Sequence, residues 1–213
     1  MSAWLARIEL NTRSPEVRRD LGNVELLHKR MMLLVPDDLG TDPRALAGLL
    51  FRLEQSAYAA TLLVQSRLEM TPGRLPEGYG RIQMRDLTPM LEALTKGRAV
   101  QYRIAGNASK RKAVGSKSDT DTTRRGPIVA LHGQAAEDWW RDRARTAGLC
   151  LHSLVSSPDA AARGGKIRHD LTRFDGTASI EDPQALTEAL LNGIGRGKSY
   201  GAGLLSLAPA RLD

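Results

Sequence analysis

The chain has 213 residues, 41% of them apolar, which is enough for a packed core and argues against a disordered chain. Its net charge is +7, and segment 96–125 holds the whole excess, with nine Lys and Arg against Asp119 and Asp121, while 1–95 and 126–213 are each balanced. That localised excess points to a polyanion, nucleic acid first; the absence of a long apolar run argues against a membrane span or signal peptide, and the single Cys150 leads us to expect a reducing, cytoplasmic setting.

Residues 3–10, AWLARIEL, interleave apolar and charged side chains and predict a strand. The polar stretch NTRSPEVRRDLG follows. Asn23 is a good N-cap, and Leu26, Leu27, Arg30, Met31 and Leu34 then fall at helical spacing, predicting a helix over about 24–35. Residues 45–55 are ambiguous between helix and strand. TLLVQSRLEM predicts a strand and TPGRLPEGYG a loop. LTPMLEALTKG reads as a short helix and turn, and AVQYRIAGN as a strand. The run SKRKAVGSKSDTDTTRRG has almost no large apolar residue and reads as an exposed basic loop. PIVALHG is short and apolar, AAEDWWRDRARTAGL predicts a helix, and LCLHSLVSS a strand. KIRHDLTRFDGTASIED is expected to be a hairpin turning at Asp175-Gly176. PQALTEALLNG predicts a helix with Pro183 in its first turn and Gly193 as C-cap, and GLLSLAPA a closing strand.

This order is roughly β-α-β-β and then β-α-β-β-α-β. It suggests an α+β protein of two tandem ferredoxin-like (RRM-like) domains, residues 1–88 and 89–213.

The strongest local signal is GIGRGKSYGAG at 193–203, with five glycines in 11 residues. Such a loop can bring backbone N–H groups close to an anion, and Arg196 and Lys198 add charge. It is not a P-loop: Asn192 stands where the first glycine is needed, and the helix precedes the loop instead of following it. A packing turn and a phosphate-backbone contact both remain open for Gly195, Arg196, Gly197, Lys198 and Ser199.

The ending LLNGIGRGKSYGAGLLSLAP resembles the glycine-rich signature of CRISPR-associated repeat endoribonucleases. The opening WLARIELNTRSPEVRRDLGNVELLHKRM resembles the N-terminus of one branch, the CasE family of type I-E systems. FRLE, LVQS, YRIAGNASKRKAVGSK and FDGTASIEDP fall in that family's order and spacing, so the resemblance spans the chain. It implies two ferredoxin-like domains, metal-free cleavage of a CRISPR repeat stem-loop RNA, and residence with other subunits in the complex called Cascade. No cofactor is expected.

On its own residues, His28 is a helical histidine beside Lys29 and Arg30, whose charges would lower its pKa and favour a neutral base. The resemblance makes it the candidate catalytic histidine, because ELLHK aligns with the family's catalytic segment. Lys29 is the candidate for charge stabilisation. The family often carries a tyrosine three residues before the histidine, where this chain has Glu25. Glu25 and His28 share a helix face, so Glu25 is either a hydrogen-bond acceptor for His28 or a solvated carboxylate. The role of the family's tyrosine is left unassigned, and Tyr200 is not taken as its heir. His132, His152 and His169 have no comparable support, and a structural role is expected for His152. No metal-ligand pattern is present.

Arg103, Asn107, Lys110, Arg111, Lys112 and Lys117 are candidate RNA contacts in or beside the basic segment. Lys166 and Arg168 are further candidates near the expected hairpin. A non-catalytic subunit that only binds repeat RNA is the rival expectation, made credible by Glu25.

Overall fold

The computed structural model describes residues 2–56, 58–112, 126–159 and 162–210. The N-terminal half contains β1 (Trp4–Leu10), α1 (Pro15–Leu21), α2 (Val24–Met32), α3 (Pro43–Ala47), β2 (Leu50–Gln55), β3 (Ala60–Ser66) and β4 (Gly80–Asp86). The strands form one antiparallel sheet in the order β2-β3-β1-β4, the ferredoxin-like arrangement. Ile8 lies opposite both Leu62 and Ile82, so the alternation of three strands is in phase and one face turns to the core.

Two elements here escape the periodicity argument. α1 forms inside the polar stretch because Ser14 caps Val17 N and Pro15 opens the helix, while Val17 alone supplies a buried apolar anchor. β4 carries only half-buried Ile82 and Met84 among charges. The ambiguity at 45–55 resolves into α3 followed by β2, divided at Gly48, whose φ of 60° ends the helix.

The C-terminal half contains α4 (Thr88–Glu92), β5 (Ala99–Gly106), β6 (Ser109–Arg111), β7 (Ile128–Ala130), α5 (Gln134–Thr146), β8 (Leu149–Leu151), β9 (Val155–Pro158), β10 (Ala162–Gly164), β11 (Ile167–His169), β12 (Thr172–Ile180), α6 (Pro183–Asn192) and β13 (Leu205–Pro209). Its main sheet runs β13-β5-β12-β8, with β9 also paired to β12, and repeats the ferredoxin-like order. Trp140 of α5 is fully buried and stacks on Phe174 at 5.7 Å, pinning the helix to the sheet.

The expected hairpin at Asp175-Gly176 does not form. β12 runs straight through it, and the chain turns earlier, at Gly165-Lys166 between β10 and β11. Gly176 serves close approach instead of a turn: a Cβ there would sit 2.1 Å from the Ser153 carbonyl oxygen and 2.6 Å from the Tyr102 hydroxyl. His152 lies exposed at the bend after β8, not in the satisfied strand position expected for it.

The halves are tied by side chains that reach across. Gln65 donates to Leu190 O at 2.7 Å, and Arg67 donates to Asn192 at 2.6 Å. Ala162, Leu171 and Ala202 of the C-terminal half pack into the N-terminal apolar core. This delivers the β10–β11 hairpin and the glycine loop to the face of α2. Among the described residues, no helix is long and apolar enough to cross a membrane.

Candidate functional site

α2 carries the centre of the site. Asn23 caps the helix by accepting from Glu25 N at 3.0 Å, and Leu27 and Met31 bury one side. His28 falls between the buried stripe and solvent and is half-buried. Its Nδ1 is buried and has no hydrogen-bond partner among the described residues. Protonating His28 would place a second N–H in this dry setting. Burial therefore holds its pKa below the ordinary histidine value, and the charge of Arg44 adds to the effect.

The cause differs from the one expected. Lys29 is exposed. Arg30 is consumed by the buried Asp20, to which its Nε donates at 2.7 Å, and its guanidinium lies over the Tyr79 ring. The cation that acts on His28 is Arg44 of α3, the next helix in the chain. Glu25 makes no hydrogen bond to His28; its carboxylate lies against Gly165, where a Cβ would meet Oε2 at 2.6 Å. Gly164 is as close to the Asn23 cap. The β10–β11 hairpin thus lies directly on the first turn of α2, and it presents exposed Lys166 and Arg168 beside it.

The glycine loop closes the other side. Gly197 and Gly201, with φ of 78° and 90°, bracket a short 3₁₀ turn over Lys198–Tyr200. Both lie in the left-handed region that favours glycine. The turn sets Tyr200 edge-on to His28, ring centroids 6.0 Å apart. Tyr200 also meets His169, 5.8 Å away. The Asn107 amide lies 3.1 Å from His169 Nδ1 and holds that ring. Burial lowers the pKa of His169, opposed by the charge of Asp170. Lys198 is half-buried, and burial together with Arg44 lowers its pKa as well.

Of the expected residues, the fold therefore gathers His28, Glu25, Asn107, Gly197 and Lys198, with Ser199 half-buried in the same turn. Gly195 packs on the Trp139 ring, and Arg196 is exposed. Arg103 is drawn into ion pairs with Asp175 and Glu54. Lys110 and Arg111 are exposed on the β6–β7 ribbon, Lys112 follows it, and Arg111 donates to Gly126 O. Lys117 and the rest of 113–125 lie outside the described residues. Among the described residues, no group of three or more His, Cys, Asp or Glu is placed to hold a metal ion.

Arg44, His169 and Tyr200 are members of this cluster that residue patterns missed. Arg44 sits in a five-residue helix with nothing in its neighbourhood to mark it. His169 and Tyr200 become neighbours only because a hairpin and a loop some 30 residues apart converge on α2.

The exposed ribbon gives a direct test of grip. Neutralising Lys110, Arg111 and Lys112 together is expected to weaken binding of a structured RNA and to reduce its log–log salt slope by about two to three. An unchanged slope in a filter-binding titration would make the ribbon a solvated feature only.

The profile of the CRISPR associated protein family matches residues 3–209. The CRISPR-associated endoribonuclease Cse3 of Thermus thermophilus is 28% identical over 215 residues, covering 97% of this chain and all of that protein. The structure of Thermus thermophilus Cse3 bound to an RNA representing a pre-cleavage complex superposes with a TM-score of 0.85 at 27% identity, over 98% of this chain and 100% of that one. A component of a CRISPR RNA-guided surveillance complex in a pre-nicking state is 40% identical, with a TM-score of 0.68 over 97% and 100% of the two chains. Together with the tandem ferredoxin-like sheets and the histidine on α2, these likenesses place the chain in the CRISPR associated protein family, in its CasE branch.

Proposed function

We propose that the protein is an endoribonuclease that cleaves CRISPR precursor RNA within the repeat and keeps the product bound as a subunit of a Cascade-type surveillance complex. The observation that carries this reading is a half-buried, neutral-biased histidine on α2, enclosed by cationic elements from both halves of the chain. The whole-length likeness to Cse3 and to a surveillance-complex component supports it. The free, exposed Cys150 fits a cytoplasmic location.

The nucleophile is the RNA's own 2′-hydroxyl. His28 takes its proton, the oxygen bonds to the adjacent phosphorus, and the bond to the 5′-oxygen breaks. The products are a 2′,3′-cyclic phosphate and a 5′-hydroxyl. Proton transfer of this kind contributes about 10²–10⁴-fold. Positioning of the strand and cations beside the phosphorane supply more. Arg44 acts electrostatically on both His28 and Lys198, and Lys198 lies half-buried in the turn that carries Tyr200, while exposed Lys29 and Lys166 reach the RNA from outside. A stem-loop would be held by its backbone across the β6–β7 ribbon and the β10–β11 hairpin, since A-form helices are read largely by shape.

The rival, a subunit that binds repeat RNA without cutting it, draws on one observation: Glu25 packs on Gly165 and leaves His28 Nδ1 without an orienting partner. One experiment separates the two. Cognate repeat RNA incubated with the protein in EDTA is expected to yield two fragments, the upstream one ending in a 2′,3′-cyclic phosphate. Tight binding with no cleavage would favour the rival, and cleavage abolished by EDTA would refute the metal-independent route.

A further inference from the structure

We propose that Tyr200 is the general acid of the cleavage step, donating its phenolic proton to the departing 5′-oxygen. The inference rests on the endoribonuclease reading above and deepens it. Tyr200 is the aromatic ring in contact with His28, at 6.0 Å between centroids and 66° between planes, so one phosphodiester can touch both side chains. A phenolic O–H is a hydrogen-bond donor and one of the side-chain groups that serve as general acids. Tyr200 lines a cavity with Leu27, Ala162 and Leu171, between α2 and the C-terminal half.

The ring has a second neighbour besides His28. His169 lies against it at 5.8 Å and is itself fixed by Asn107. Gly197, where a Cβ would lie 3.4 Å from Asn107 Nδ2 and His169 Cδ2, and Gly201, where one would meet the Phe51 ring at 3.5 Å, set the backbone that presents it. The glycines of the loop therefore have a chemical purpose: they permit the left-handed turn that carries a phenol to a histidine from the opposite end of the chain.

The proton balance closes within this pair. His28 gains the 2′-hydroxyl proton as the 2′-oxygen bonds to phosphorus. The electron pair of the breaking bond goes to the 5′-oxygen, which takes the proton from Tyr200. An imidazolium and a phenolate are left side by side, and transfer of the proton from His28 to Tyr200 restores both groups. No co-reactant is required.

The test uses Tyr200→Phe, which keeps both ring contacts and removes only the hydroxyl, and two repeat RNAs. One is unmodified; the other carries sulfur in place of the bridging 5′-oxygen at the scissile position. A thiolate leaves without protonation, so the sulfur RNA does not need an acid. Single-turnover cleavage of the unmodified RNA by Tyr200→Phe is expected to fall by about 10²-fold or more, while the sulfur RNA is cleaved at close to the wild-type rate. Equal loss on both RNAs would overturn the proposal, as would full activity on the unmodified RNA. Loss in Tyr200→Ala alone, with Tyr200→Phe fully active, would reduce Tyr200 to a packing element. Failure of the wild type to cut RNA that it binds would instead overturn the endoribonuclease reading, and this inference with it.

Discussion

Replacing His28 by alanine is expected to lower the single-turnover cleavage rate by about 10²–10⁴-fold and to leave the affinity for repeat RNA close to wild type. The argument is local. His28 is half-buried between α2 and the glycine loop, whereas the exposed cations that would hold phosphates lie on the β6–β7 ribbon and the β10–β11 hairpin. Removing an uncharged imidazole costs the RNA little grip but deletes the acceptor of the 2′-hydroxyl proton. The pH profile follows from the same geometry. Burial, with the charge of Arg44, lowers the pKa of His28 below its ordinary 6.5. A base acts when neutral, so the rate should climb with pH only below that value and lie flat from there to neutrality. Arg44→Gln removes one of the two causes and is expected to move the climb upward. An inflection above 6.5 in the wild type would count against a neutral imidazole held by burial. A His28→Ala variant that cleaves normally would remove His28 from the chemistry.

The parts of this site differ in how visible they are in the sequence. The cap at Asn23 and the apolar stripe of α2 were enough to place His28 on a helix, but only the resemblance of ELLHK to the family's catalytic segment singled it out. The two sheets were legible for a similar reason: Ile8, Leu62 and Ile104 sit in runs whose alternation matches burial. The hairpin expected at Asp175-Gly176 failed because glycine has two uses that look alike in one dimension. At 176 it makes room for Ser153 and Tyr102; at 165 it makes room for Glu25 beside a true turn. Charge was misread in a related way. Arg30 and Arg103 look like free cations in the sequence, but Asp20 and Asp175 occupy them. Arg44 acts on His28 across the fold and leaves no mark in the sequence around it. The +7 excess falls in part on the exposed β6–β7 ribbon and not on His28, Arg44 or Tyr200, which come from segments that are each neutral overall.

Arg52→Met is expected to destabilise the protein by about 3 kcal/mol, the lower end of the cost of removing one partner from a buried pair. The Arg52 side chain is 3% exposed, and burial lowers its pKa although Glu54 opposes this. It pays for that burial through four hydrogen bonds. Nε and Nη2 donate to Glu54 at 3.1 and 2.8 Å, and Nη1 donates to the carbonyls of Arg103 and Leu204 at 3.1 and 3.0 Å. The last two cross from β2 to β5 and to the residue before β13. One guanidinium thus ties the two sheets together just behind the glycine loop. Methionine matches its length and apolar stem but leaves Leu204 O without this donor. Glu54 is 37% exposed and rehydrates, which is why the lower end of the range applies. For a chain of this size the midpoint should drop by about 6–12 °C. The tie also bears on function. If it aligns the loop with α2, Arg52→Met cleaves RNA more slowly than wild type even well below its melting temperature, where the protein is fully folded. Unchanged stability in denaturant titration would show that the crossing hydrogen bonds contribute little. Lost stability with an unchanged cleavage rate would confine Arg52 to holding the halves together, and leave the position of Tyr200 to the glycines on either side of it.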